Sequence, residues 1–166
     1  ALAEFLRALH VPAPDDAPIA TDRGAHPRDC TEGFEYFLRS VDPDDRADIR
    51  AVWDDAVAAP AWEGPPVWVH GDLHPANVVV SDGTLSGIVD FGDMFAGDPA
   101  WDLAAAWVLL PAGVAARFFD KYAHADDGTI RRARGLAAMK GLFLMLMGQN
   151  GDRGLPGGKP HWGPVG

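Results

Sequence analysis

Between Val67 and Leu103 three polar residues close off apolar runs, in a pattern that suits metal-assisted chemistry. Asp72 follows Val67-Trp68-Val69 within the stretch His70-Gly71-Asp72-Leu73-His74-Pro75-Ala76-Asn77. Asn77 leads into Val78-Val79-Val80, and Asp90 ends a second apolar run and opens Asp90-Phe91-Gly92-Asp93. A carboxylate and an amide oxygen are hard donors, which favour Mg²⁺ over a soft metal. Asn77 and Asp90 therefore read as ligands of one ion, and Asp72 is left to accept a proton. The plainer alternatives are a turn cap at Asp72 and hairpin-end backbone bonds at Asn77 and Asp90.

Positioning these groups requires a hairpin. Asp82-Gly83 between β-branched runs signals a tight two-residue turn. That turn sets Asn77 opposite Ile88, with Asp90 as a diagonal neighbour on the same face of the pleat, roughly 7–8 Å away between backbones. A slip of one residue would separate the two faces. Asp98-Pro99 then reads as the N-cap and first residue of a helix that carries Asp102. That helix, 99–110, is apolar on nearly all sides and belongs inside a lobe.

Asp72 followed by Asn77 has the kinase catalytic-loop spacing, and Asp90-Phe91-Gly92 matches the metal-binding Asp-Phe-Gly. With Gly97-Asp98-Pro99 and Asp102-Leu103-Ala104, the blocks resemble the aminoglycoside phosphotransferase family, the kinase-like group that includes macrolide and choline-type kinases. The resemblance implies a mainly α fold with a small β-hairpin (α+β), equivalent to the C-terminal lobe of a protein-kinase-like fold. It implies transfer of the γ-phosphate of ATP or GTP to a small-molecule hydroxyl, with Asp72 as base and Asn77 and Asp90 holding Mg²⁺. Acceptors among such enzymes include antibiotics, which links the resemblance to antibiotic resistance, and also sugars and amino alcohols. Asp102 is expected to accept N–H bonds from the catalytic loop, and Asp98 to support the site. His70 reads as a residue that holds the loop, His74 as a loop orienter or phosphate contact, and Asp93 as a secondary ion or substrate contact. A non-catalytic binding module and a binuclear metal phosphoesterase, suggested by Gly71-Asp72-Leu73-His74, are the alternatives.

Length and composition fit one domain: 166 residues, 48% hydrophobic, with six tryptophans. The formal charge of −10 speaks against a nucleic-acid surface and is compatible with a cationic acceptor. No run approaches the ~20 apolar residues of a membrane span. A lone Cys30 fits a reducing cytoplasm, and no Cys/His set has zinc spacing. The chain opens in helical pattern at Leu2, Phe5, Leu6 and Leu9 without a cap, as a cut fragment would. No glycine-rich loop or phosphate lysine precedes Val67, so residues 1–166 are expected to be the acceptor lobe of a protein whose N-terminal nucleotide lobe lies elsewhere. The 11–33 loop, with Asp15, Asp16 and Asp22, is expected to be solvated, near the acceptor site of the family. Phe34, Phe37, Leu38 and Val41 mark a short helix, and Asp42-Pro43 starts another with a stripe of Ile49, Val52, Trp53, Ala56 and Val57. A longer helix spans 129–147, with Leu142 to Met147 as a core face. An irregular Gly/Pro-rich tail is expected over 148–166, and Gly157-Gly158-Lys159-Pro160 lacks phosphate-loop spacing.

Overall fold

The computed structural model describes residues 1–21 and 23–154; Asp22 and residues 155–166, including Gly157-Gly158-Lys159-Pro160, lie outside them. Helices are α1 (Leu2–Leu9), α2 (Thr31–Leu38), α3 (Arg46–Ala58), α4 (Ala100–Leu103), α5 (Ala105–Val108), α6 (Ala115–Tyr122) and α7 (Asp127–Asp152). Strands are β1 (Val67–Val69), β2 (Val78–Ser81), β3 (Thr84–Ile88) and β4 (Phe95–Gly97). The expected class holds: helices with a small antiparallel β component.

The long helix α7 is the spine. Its start is capped by Asp126, whose carboxylate accepts the Thr129 N–H at 2.7 Å. Alongside it runs α3, and Gly135 makes the approach possible, because a Cβ there would stand 2.2 Å from Ala56 Cβ. One apolar cluster joins Leu6, Val69, Leu73, Leu103, Phe118 and Leu136. A second is built on Phe34 stacked against Trp53 at 4.3 Å, closed by Leu38 and Leu142.

Several expectations are corrected. The Asp82-Gly83 turn forms, with both residues at positive φ and Ser81 paired to Thr84. However, Val80 faces Leu85 while Val79 faces Gly87, so Ser86 is an extra residue in the ladder. Its hydroxyl donates to Val79 O at 3.1 Å and holds the bulge. The register beyond it shifts by one, and Asn77 lies across from Val89, whose N–H donates to Asn77 O at 3.0 Å, rather than from Ile88. A second ladder, β1 against β4, pairs Val67 with Gly97 and Val69 with Phe95; the hairpin signal could not reveal it.

The expected 99–110 helix divides at Ala104 into α4 and α5. Short bonds such as Trp107 N–H to Ala104 O mark the junction. After the Asp42-Pro43 turn, α3 begins at Arg46, a few residues later than the proline suggested. The tail prediction fails over its first residues, since α7 continues through Gly148 to Asp152. Glycine inside a helix costs about 1 kcal/mol and weakens it, whereas proline at about 3 kcal/mol breaks it. The first proline in that direction is Pro156. Of Leu142 to Met147, only Leu142 enters the core; Phe143 and Met145 are exposed. Among the described residues no helix is long and apolar enough to cross a membrane.

Candidate active site

Strand β1 delivers the chain to His70, and a buried carboxylate on α4 takes hold of it there. Asp102 Oδ2 accepts the His70 N–H at 2.7 Å, and Oδ1 accepts the Gly71 N–H at 3.0 Å. Trp101 Nε1 donates to Gly71 O at 2.7 Å. Gly71 itself sits at φ +88°, and a Cβ would meet Asp93 O at 2.5 Å, so both backbone and space demand glycine. Behind Asp102 stands His10, its Nε2 at 3.2 Å from Oδ2 and its Nδ1 at 2.7 Å from the Tyr122 hydroxyl. Burial pushes the Asp102 carboxyl up, but the His10 hydrogen bond, the charges of His10 and Lys140 and the His70 N–H outweigh it and hold it below its ordinary value. Burial, reinforced by the charges of Asp102 and Asp98, drives the Tyr122 hydroxyl well above its usual range.

His70 bonds to both sides of the site. Its Nδ1 accepts the Asp72 N–H at 3.3 Å, which leaves Nε2 as the donor to Val89 O at 3.0 Å. The ring also packs against Phe91 at 4.8 Å between centroids. One buried side chain thus ties the loop carrying Asp72 to the residue before Asp90.

Asp72 emerges half-exposed at the end of this clamp. Asn77 Nδ2 donates to Asp72 O at 2.9 Å and to Oδ2 at 3.1 Å, and His74 Nε2 lies 3.2 Å from the same oxygen. His74 Nδ1 meanwhile accepts the Ala76 N–H at 3.2 Å, capping the short 3₁₀ turn Pro75–Asn77. Asn77 points its NH₂ at Asp72 and His74, and among the described residues its Oδ1 takes no hydrogen bond. Asp90 is exposed in a left-handed conformation, φ 63° and ψ 65°, and its carboxylate makes no cap hydrogen bond to the turn that follows. An amide oxygen and a carboxylate are hard donors, and these two residues would hold a hard ion such as Mg²⁺. Among the described residues no group of three or more His, Cys, Asp or Glu is placed to hold a metal.

A cavity of about 470 Å³ opens beside Asp72, with His74, Asp93 and Arg23 also at its wall. Asp93 pairs with Arg23 at 2.6 Å. Asn77 and Asp90 stand outside this lining. Asp98 supports the site from below: its Oδ1 accepts the Ala100 N–H at 2.9 Å, and its Oδ2 takes Arg132 Nε at 2.7 Å.

Residues 1–141 match the phosphotransferase enzyme family, APH. The chain belongs to that family. A viomycin phosphotransferase from Streptomyces vinaceus is 37% identical over 81 residues, which covers 46% of this chain and 27% of the relative. A macrolide 2'-phosphotransferase type I superposes with a TM-score of 0.60 at 22% identity, over 93% of this chain and 53% of that one. The streptomycin–ATP ternary complex of APH(2")-IIa follows with a TM-score of 0.50 at 16% identity, over 87% and 53%. At such identities the structural likeness establishes the fold. The chain spans about half the length of these solved relatives.

Three residues of this APH-family lobe were not singled out by sequence. Arg132, buried in α7, reaches Asp98, Thr129 Oγ and Pro60 O. His10 supports Asp102 from the end of α1. Lys140 lines the cavity, its Nζ donating to Trp101 O at 3.0 Å and lying 4.9 Å from that ring. The one signal for it was a lone lysine inside an apolar helical run. Burial drives the Lys140 ammonium down to about 8, against the opposing pull of Asp102 and Asp72, with Arg23 adding to the depression. Between that value and the ordinary 10.5, the unfolded chain holds a proton that the folded chain has released. Stability contributed through Lys140 therefore rises with pH across that window. In urea titrations at pH 7.5 and 10, Lys140→Met should lack this increment while sharing every other pH effect. Parallel pH dependences in the two proteins would show that Lys140 titrates normally.

Proposed function

We propose that this chain is the acceptor-side lobe of a small-molecule kinase that transfers the γ-phosphoryl group of ATP or GTP to a hydroxyl. The carrying observation is the Asp72 carboxylate, presented at the cavity wall and steered by Asn77 and His74 on a loop fixed by Asp102. Asp72 accepts the proton of the acceptor hydroxyl. The freed oxygen bonds to the γ-phosphorus, the bond to the bridging oxygen breaks, and the nucleoside diphosphate leaves. Asn77 and Asp90 are the residues suited to Mg²⁺, which when bound neutralises charge on the phosphates. The chain's own contribution is orientation, since phosphoryl transfer is governed by positioning and electrostatics. His74 orients the base, and Asp93 with Arg23 borders the acceptor. Relatives named for viomycin and macrolides, and one solved with streptomycin and ATP, support an antibiotic or similar hydroxyl compound as acceptor. The cytoplasm, where ATP and GTP are abundant, is the compartment this reaction calls for.

The donor phosphates need a lysine and a covering loop, and Lys140 is committed to Trp101. MgATP should therefore bind these residues alone more weakly than about 1 mM by calorimetry. Joining a nucleotide-binding lobe of the same family ahead of Ala1 should produce phosphorylated acceptor from labelled ATP. Tight MgATP binding by the lobe alone would contradict the division of labour. A joined protein that binds nucleotide and acceptor yet transfers nothing would contradict the function.

A further inference from the structure

We propose that the cavity beside Asp72 selects an amphipathic acceptor, one whose reacting hydroxyl borders a broad apolar face and which carries at most one positive charge. This rests on the kinase reading and narrows its substrate. Away from Asp72 the wall is apolar: Phe37, Trp101, Met139, Phe143 and Leu144 contribute to it. Phe37 and Phe143 meet edge to face at 5.5 Å. Phe143 is nevertheless 43% exposed. Apolar side chains left uncovered around a concave site mark a surface that a ligand covers. The cavity volume, about 470 Å³, suits a drug-sized molecule.

The charges at the wall point the same way. A polycationic acceptor needs several carboxylates without cations of their own. Asp93 is paired with Arg23. Asp72 lies within the field of Lys140, whose Nζ is fixed at the wall by Trp101. The acidic surplus of the whole chain is therefore not concentrated here. Ammonium groups entering would face Lys140 and lose water against phenyl rings, which is costly. An apolar face with a polar edge meets neither penalty.

The lining residues named above all belong to this lobe, so binding is read on the purified chain. Calorimetry on the purified chain should show a macrolide, a macrolactone with a single amine, binding at least about tenfold tighter than the polycation gentamicin. Phe143→Ser should weaken macrolide binding about tenfold while the thermal midpoint falls by no more than about 5 °C, since only a half-exposed ring and its contact with Phe37 are lost. Lys140→Glu should shift the preference toward gentamicin. Equal or tighter gentamicin binding, no binding of either probe, or an unaffected Phe143→Ser variant would each overturn the proposal. The kinase reading fails separately: a macrolide bound but never phosphorylated by the joined protein sinks that reading, and gentamicin phosphorylated in preference sinks this one.

Discussion

Asp72→Ala, in a protein joined to a nucleotide-binding lobe, is expected to lower turnover roughly 10²–10⁴-fold, the usual worth of a positioned general base. The substitution removes the carboxylate and little else. Asp72 is 41% exposed at its side chain, and Asn77 retains its bond to the Asp72 carbonyl oxygen at 2.9 Å. Folding should survive, so the urea midpoint should move by less than about 0.5 kcal/mol equivalent. The KM for nucleotide should also hold, because the loss lies in the transition state rather than in donor binding. Asp72→Asn is the companion variant: it keeps the shape and the contact to Asn77, and it should be nearly as inactive. Steady-state kinetics on both variants decide the matter. Wild-type turnover from either would assign the base to another group, or show that the acceptor hydroxyl needs none.

The largest stability effect is expected at Asp102. This fully buried carboxylate accepts the backbone N–H groups of His70 and Gly71 and meets His10. Asp102→Ala leaves those donors without partners in a dry interior, where each stranded group costs about 1–3 kcal/mol. With two such donors stranded, a loss of several kcal/mol should appear in urea or thermal unfolding. Asp102→Asn should lose less, because one oxygen still accepts while the charge toward His10 is gone. Since the folded carboxyl titrates below its ordinary 3.8, its contribution is present above that value and fades as pH falls through the lower folded value. The wild-type advantage over Asp102→Asn should therefore shrink only in strong acid. Equal stability of wild type and Asp102→Ala at neutral pH would mean that water satisfies the loop and that the carboxylate is not its clamp.

Residues close together in the chain were readable because short-range bonds define them. The Asp82-Gly83 turn needs only left-handed backbone at two positions. The helical start after Asp98 follows from a cap contact two residues long. The cluster of Asp72, His74 and Asn77 lies within a single loop and its turn. Family membership was legible for the same reason, since its blocks are local strings around the loop and hairpin. The bulge at Ser86 was not, because an extra residue in a ladder leaves the hydrophobic pattern of the strand almost unchanged. It moved Asn77 opposite Val89, while the left-handed turn at Asp90 took that residue out of the strand altogether.

What tertiary structure alone decided is who stands behind the loop and what lines the cavity. Asp102 meets His70 across 32 residues, Arg132 meets Asp98 across 34, and Lys140 meets Trp101 across 39. Each contact depends on how α4 and α7 lie against one another, and helical periodicity names a buried face without naming its partner. The acidic composition is compatible with a cationic acceptor, but only the packing shows that Lys140, Phe37 and Phe143 stand at the cavity. Composition sums charge over the whole chain, whereas a substrate meets only the few side chains that packing brings to one wall.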